Sequence, residues 1–310
     1  MKTVLIIALI CLVAGALLLG AGWVLLQKNL MQNNAVENSI YSYRTSDLPT
    51  QINITTLDSR VKILPIEGDE WRVECKDTET LYHTVELVDG VLTIKQNGTV
   101  RKWYEYISVL NIFQDLSPKL TVYLPTGMYE SLDICSTSGS IKVSEGLTFL
   151  NASLKNASGS ITCAAHIAGS LDVKNTSGSI TITGGVDGEL SVTNGSSSVE
   201  IKNATPTSAT IKNASGSIQL TNVVCQGSVD IDNTSGSVKL EACDAASFDL
   251  RTVSGGIHAS ILSGKTFDCH STSGGVHVPE NGGEGTFRAR TTSGGIRVEI
   301  VTPAQEIASS

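Results

Sequence analysis

From about residue 50 onward the chain alternates between apolar and polar residues. The alternation is plain in Gln51-Ile52-Asn53-Ile54, Val61-Lys62-Ile63-Leu64, Trp71-Arg72-Val73-Glu74-Cys75 and Leu120-Thr121-Val122-Tyr123-Leu124-Pro125. A period of two is that of half-buried strands. Gly and Asp punctuate the runs at Glu67-Gly68-Asp69 and Asp89-Gly90, as turns require. No segment after residue 30 sustains a helical period, so the pattern predicts an all-β domain.

A repeat organises the second half. A Thr/Ala-Ser-Gly-Ser/Gly-Ile/Val signature centres on Gly139, Gly159, Gly178, Ser197, Gly216, Gly236, Gly255, Gly274 and Gly294, nine copies in steps of 19 or 20 residues. That period is too short for a propeller blade and lacks the leucine-rich consensus; it fits one coil of a β-solenoid. Two residues after the centre every copy is β-branched, from Ile141 and Ile161 to Val276 and Ile296. Four after stand residues such as Val143, Cys163, Leu220 and Val278, and five before stand Ile134, Leu154, Ile231 and Cys269. Seven before, the copies run from Leu132 and Ala152 to Phe248, Phe267 and Phe287. Each coil thus carries two strands on either side of a Ser-Gly corner, their apolar sides facing each other. Nine coils at about 4.8 Å make a rod of roughly 43 Å. Three residues before the corner, Asn156, Asn175, Asn194, Asn213 and Asn233 occupy five consecutive coils. Their inward parity predicts a ladder in which each amide bonds the next, and it makes most of the nine Asn-x-Ser/Thr sequons a by-product of the repeat.

The first 28 residues have another character. Thr3 to Leu26 is 24 residues without a charge, closed by Gln27-Lys28, long enough for a bilayer core of about 20 apolar residues. It exceeds the apolar core of a cleaved signal, about 7–15 residues, and Ala14-Gly15-Ala16 lies inside the run rather than after it. The expectation is an uncleaved single-pass transmembrane helix over residues 1–28, with a polar linker over 29–47. A β-solenoid domain follows over 48–301, with regular coils from about 132, and a polar tail over 302–310. The cell membrane is the expected location, with the large domain extracytoplasmic.

The order of an N-terminal span, Val61-Lys62-Ile63-Leu64-Pro65, Leu120 to Pro125, Tyr129-x-Ser131-Leu132-x-Ile134 and tandem Thr-Ser-Gly-Ser-Ile coils resembles the bacterial putative-adhesin domain family. The resemblance covers about residues 45–301. It implies a β-solenoid of a membrane-anchored envelope protein and brings no catalytic residues with it; fold alone does not imply function.

Composition narrows the chemistry. Aromatics are 5% and charged residues 17% of the 310 positions, and the net charge is −8, which leaves no basic footprint for nucleic acid. There is no Gly-x-Ser-x-Gly elbow, and the serines cluster at corners without a positioned His base. No Cys-x-x-Cys, His-Glu-x-x-His or phosphate loop occurs. Catalytic, cofactor and metal residues are therefore expected to be absent. Two outward files offer weaker candidates. Six residues before the corner, Asp230, Asp249 and Asp268 fall on consecutive coils with Arg288 next, beside Asp232, Arg251, His270 and Arg290. Such carboxylates are spaced to hold a hard cation or to act as an acid/base pair, or to form a solvated network with the arginines. Three after the corner, His258 and His277 are expected to stack between Lys239 and Arg297. Cys225 and Cys243 share a variable turn on adjacent coils, where a disulfide or two thiols both fit, while Cys75 and Cys135 have no evident partner. Trp103, Ile107 and Leu110 share helical spacing, so Trp103–Phe113 is expected to cap the open N-terminal end.

The sequence predicts a membrane-anchored extracytoplasmic, non-catalytic binding or scaffold module of the bacterial envelope, in adhesion or in an envelope-stress accessory role. Its partners are the membrane, through the N-terminal helix, and an envelope protein or glycan ligand. The rival is a carbohydrate-active enzyme that uses the surface Asp residues.

Overall fold

The computed structural model describes residues 37–44, 48–68, 70–77, 80–98 and 119–302. The Thr3–Leu26 run, most of the linker, the Trp103–Phe113 segment and the tail beyond Thr302 lie outside these residues. Among the described residues, no helix is long and apolar enough to cross a membrane, and the regular structure is β throughout, in two sheets of 13 strands each.

The repeat builds both sheets. Strands before the corner stack in parallel to form one sheet, and strands after it form the other, with pairings such as Ile211↔Ile231 and Ile161↔Ile180. Like therefore sits on like, and the aliphatic columns become buried ladders: Ile161, Ile180, Val199, Ile218, Val238 and Ile257 are all fully buried. The corner brings successive backbones so close that a Cβ on Gly159 would lie 2.3 Å from the Gly139 carbonyl oxygen. With φ at +114° as well, glycine fits here and L side chains do not. Ser197 is the exception and takes φ +87°.

The coils do not stack in chain order at either end. Seven strands precede the regular repeat: β1 (Glu37–Arg44), β2 (Gln51–Thr56), β3 (Arg60–Ile66), β4 (Glu70–Asp77), β5 (Leu81–Val88), β6 (Val91–Gly98) and β7 (Lys119–Pro125). The first regular coil follows as β8 (Met128–Ser138) and β9 (Ile141–Val143). β2 and β3 form a coil directly against β8 and β9, and β6 and β7 form the next coil outward, although they come later in the chain. β5 and β4 then add antiparallel strands to β6 and β7, and β1 adds to β4. These strands cover the N-terminal end of the described stack.

The C-terminal end mirrors this exchange. Strand Ser247–Ser254 pairs with Thr286–Ser293, which in turn pairs with Thr266–Ser273. The coil around Gly274 is therefore outermost and the coil around Gly294 lies beneath it. This corrects the serial stacking expected from the repeat. It also explains why Val276 and Val278, expected in the core, are each 38% exposed while Ile296 is buried. The short turn over residues 262–265 skips one layer, and the glycine-rich return over 279–285 fills the gap.

The inner corner seam is also different from the predicted ladder. The Asn amides do not bond one another. Asn175, Asn213 and Asn233 each donate Nδ2 to the corner carbonyl of their own coil and to that of the coil before, as in Asn213 to Gly216 O (3.1 Å) and Ser197 O (3.2 Å). Asn156 donates to Gly139 O, and Asn194 to Ser196 O and Ser197 O. The corner carbonyls point inward and need donors more than the amides need each other. Thr252, Thr291 and Ser271 continue the seam with hydroxyl donors. At the other end Ser136, Thr56, Gln96 and His83 extend it, all buried.

Candidate functional site

Three places gather chemistry-bearing side chains. The first is the outward face of the sheet formed by the strands before the corner. Asp230 lies beside Asp249, as expected, but Asp249 pairs with Arg288, and Asp268 comes only after it. The exchanged end coils thus break the expected run Asp230, Asp249, Asp268 with a guanidinium. Arg251 donates two hydrogen bonds to Asp249 (3.1 and 2.8 Å), and Arg290 and Arg288 both reach Asp268 (2.7 and 3.3 Å). The hydrogen bond from Arg290, helped by Arg288, holds the Asp268 carboxyl below the usual carboxylate range. Asp230 accepts from Ser228 at 2.7 Å. Between the strands lies a shallow depression of about 180 Å3, lined by Thr210, Lys212, Asp230, Asp232, Asp249 and Arg251. The same exchange separates the two histidines of the other face: Arg297 pairs with both His258 and His277 and stands between them. The expected imidazole stack therefore does not form.

The second place is a groove of about 590 Å3 in the variable turns, lined by Cys225, Gln226, Asp244, Lys265 and Glu284 among others. Lys265 is nearly buried, and its Nζ lies 3.0 Å from Asp244 Oδ1 and 2.8 Å from Ser263 Oγ. Burial pushes the Asp244 carboxyl up, but hydrogen bonds from Lys265, Ser263 and the Ala245 amide outweigh it and hold the group low. Cys225 and Cys243 are buried free thiols here. Burial pushes them up to about 12 and about 11, so neither is a ready nucleophile.

The third place was not legible in the sequence. At the end of β4 and the start of β5, the inward residues Cys75, Asp77 and His83 converge, all buried. His83 Nδ1 lies 2.5 Å from Asp77 Oδ1, and its Nε2 lies 2.9 Å from Ser59 Oγ. The His83 amide donates to Asp77 Oδ2 at 3.3 Å. One sequence expectation is corrected here: one serine does have a positioned imidazole. Cys75 is a free thiol, as expected. The residues are 24 apart at most in the chain but match no spacing motif, because antiparallel capping strands bring them together. Ser59 is fully buried, so its hydroxyl meets no substrate. Burial and then the Asp77 charge push the Cys75 thiol up to about 12.

Comparison with known proteins follows the architecture. No curated protein matches the chain. Among solved structures, the chain is similar to a putative adhesin from Bacteroides fragilis NCTC 9343, with 12% identity, 85% of this chain and 97% of that one covered, and a TM-score of 0.47. It is also similar to a putative lipid binding protein from Parabacteroides distasonis ATCC 8503 (14%, 86% and 98%, 0.39) and to a putative adhesin from Parabacteroides merdae ATCC 43184 (13%, 87% and 98%, 0.33). The family model described as Toastrack DUF4097 matches residues 50–261 and again 188–309. With its nine-copy corner repeat and paired parallel sheets, the chain belongs to the Toastrack DUF4097 family, a bacterial putative-adhesin domain of unknown function.

Proposed function

We propose that this protein is a membrane-anchored, extracytoplasmic, non-catalytic binding or scaffold module of the bacterial envelope. The observation that carries the reading is the outward sheet face. It presents regular files of opposite charges, Asp230, Asp249 and Asp268 among Arg251, Arg288 and Arg290, with only a shallow depression between strands. A glycosidase on the same rod needs one carboxyl held protonated near neutral pH and a second one ionised opposite it. Asp268 is shifted the other way and Asp249 is clamped by Arg251, which favours binding over turnover. A flat face of fixed, alternating charge suits a polar polymer, an envelope glycan or the surface of an envelope protein. The uncharged run Thr3–Leu26 supports the anchor.

Fractionation of cells that express the full chain, beside a form lacking residues 1–28, tests the anchor; a truncated form that still sediments with membranes refutes it. Binding of the full protein to isolated envelope glycans and proteins tests the face. Arg251→Glu reverses one charge in the middle of it and is expected to weaken binding at least tenfold. Turnover of any glycan that disappears in Asp249→Asn would overturn the non-catalytic reading.

A further inference from the structure

Cys75 and Asp77 stand two residues apart on β4 and share its inward side, and His83 points inward from β5. One ligand atom from each lies within 4.8 Å of the other two, and all three residues are buried. Sulfur, imidazole nitrogen and a single carboxylate form the donor set of zinc and its first-row neighbours; calcium and magnesium take oxygen shells. We propose that Cys75, Asp77 and His83 form a binding site for a divalent transition metal, zinc foremost, inside the N-terminal end of the solenoid.

The surroundings are built for it. A metal on His83 Nδ1 leaves the proton on Nε2, where it donates to Ser59 Oγ, already 2.9 Å away. Metal-bound histidines are oriented by such a partner on the other nitrogen. Asp77 Oδ2 accepts the His83 amide, which leaves Oδ1 for the metal. Nδ1 and Oδ1 are hydrogen-bonded to each other at 2.5 Å. A tetrahedral metal would take the place of the proton between them and spread the two atoms to roughly 3.4 Å. Gln96 supplies a further sign. It pairs directly with His83 across β5 and β6 and is 5% exposed; its Oε1 takes the amides of Leu57 and Asp58. Its Nε2 is buried without a partner among the described residues. A buried amide donor beside the cluster is costly unless something accepts from it, and a water or hydroxide on the fourth metal position would do so. The chain of Ser59, His83 and Asp77 has the connectivity of a hydrolase triad, but a buried serine gives that arrangement no substrate, and it leaves Cys75 and Gln96 without a part.

The test uses the full-length chain in detergent, stripped with a chelator and titrated with Zn2+ by calorimetry and with Co2+ by absorption. One equivalent of each is expected, with a near-ultraviolet thiolate-to-cobalt band and visible bands of tetrahedral cobalt. Cys75→Ala and His83→Gln should abolish the signal, Cys225→Ala should leave it intact, and Ser59→Ala should weaken affinity by about 10–100-fold while keeping the spectrum. X-ray absorption of the zinc-loaded wild type needs no variant. It should show one sulfur at about 2.3 Å and nitrogen or oxygen at about 2.0–2.2 Å. Absence of saturable uptake, a shell without sulfur, or binding unchanged in Cys75→Ala would overturn the site.

Discussion

Ser271 donates its hydroxyl to the carbonyl oxygen of Gly294 at 2.7 Å, although Gly294 lies 23 residues further along the chain. Thr252 and Asn233 instead reach back to an earlier coil, at Gly236 and Gly216. The inversion records the exchange of the last two coils. The exchange of β2–β3 with β6–β7 does the same at the opposite end. In a serial solenoid the terminal coil is held by one neighbour and one chain connection, so it can peel away. Here the outermost C-terminal coil enters and leaves through inner layers, so peeling it displaces both connections.

Burial at the end coils follows this order and gives a direct test. Ile296 is buried and Val276 is 38% exposed, although both occupy the same column of the repeat. Ile296→Asp should destabilise by at least about 3 kcal/mol, since it strands a carboxylate in an aliphatic ladder. Val276→Asp should change stability by about 1 kcal/mol or less. Chemical denaturation of the two variants measures the difference. A larger loss in Val276→Asp than in Ile296→Asp would mean that the coils stack serially.

The return crossing depends on Gly285. Its φ is +93°, and a Cβ there would meet the Ala246 carbonyl oxygen at 2.1 Å. Gly285→Ala should therefore loosen the exchanged end without disturbing the middle of the rod, because each coil touches only its neighbours. Hydrogen exchange should accelerate over residues 266–300 and stay unchanged over 150–230. Acceleration spread evenly along the chain would contradict that local coupling.

The sequence made the coil legible because its periodicity is set by burial itself: columns headed by Ile141 and Ile134 alternate with polar residues whether or not the neighbour is known. The parity that put Asn213 inward was equally readable. Its partners were not, since amide-to-amide and amide-to-carbonyl bonding satisfy the same pattern. Layer order was hidden for a related reason. Copies centred on Gly274 and Gly294 carry near-identical signatures, so either can occupy the penultimate layer, and only the lengths of the turns distinguish them. That ambiguity placed Asp268 beside Asp249 and His277 beside His258. The cluster of Cys75, Asp77, His83 and Ser59 lay furthest from reach, because it depends on the antiparallel strands that β4 adds to β7 and β5 adds to β6, outside the repeat.

The seam predicts how substitutions within it should rank. Asn213 donates to two carbonyls on two coils, while its Oδ1 is buried without a partner among the described residues. Asn213→Ala removes two hydrogen bonds, one from each of two interior carbonyls that keep a second donor in Asn194 and Asn233, and should cost about 1–3 kcal/mol. Asn213→Thr should cost less than half of that. Thr252 and Thr291 show that a hydroxyl fits the column and still reaches a corner carbonyl, at 3.2 and 2.9 Å, and it brings no orphan acceptor. Thermal melts of the two variants decide the matter; a threonine variant as unstable as the alanine one would mean that the second hydrogen bond carries the seam.

Asp244 and Lys265 make stability depend on pH. The Asp244 carboxyl is held below its ordinary range in the folded chain, so folding favours its ionised form. The contribution is fully present above the unfolded carboxylate value of about 3.9 and disappears as pH falls through the lower folded value. Lys265→Met leaves Asp244 half-buried without its cation. At neutral pH the loss should fall between the ~1 kcal/mol of an exposed pair and the ~3–5 kcal/mol of a fully buried one, because Lys265 is almost enclosed and Asp244 keeps partial contact with solvent. As pH falls below about 3.9 the wild type gives up the interaction that the variant already lacks, so the two stability curves should converge. Urea denaturation from pH 7 to pH 3 measures that gap. A gap of constant size across the range would show that Lys265 stabilises the groove through its packing, with the charge on Asp244 playing no part.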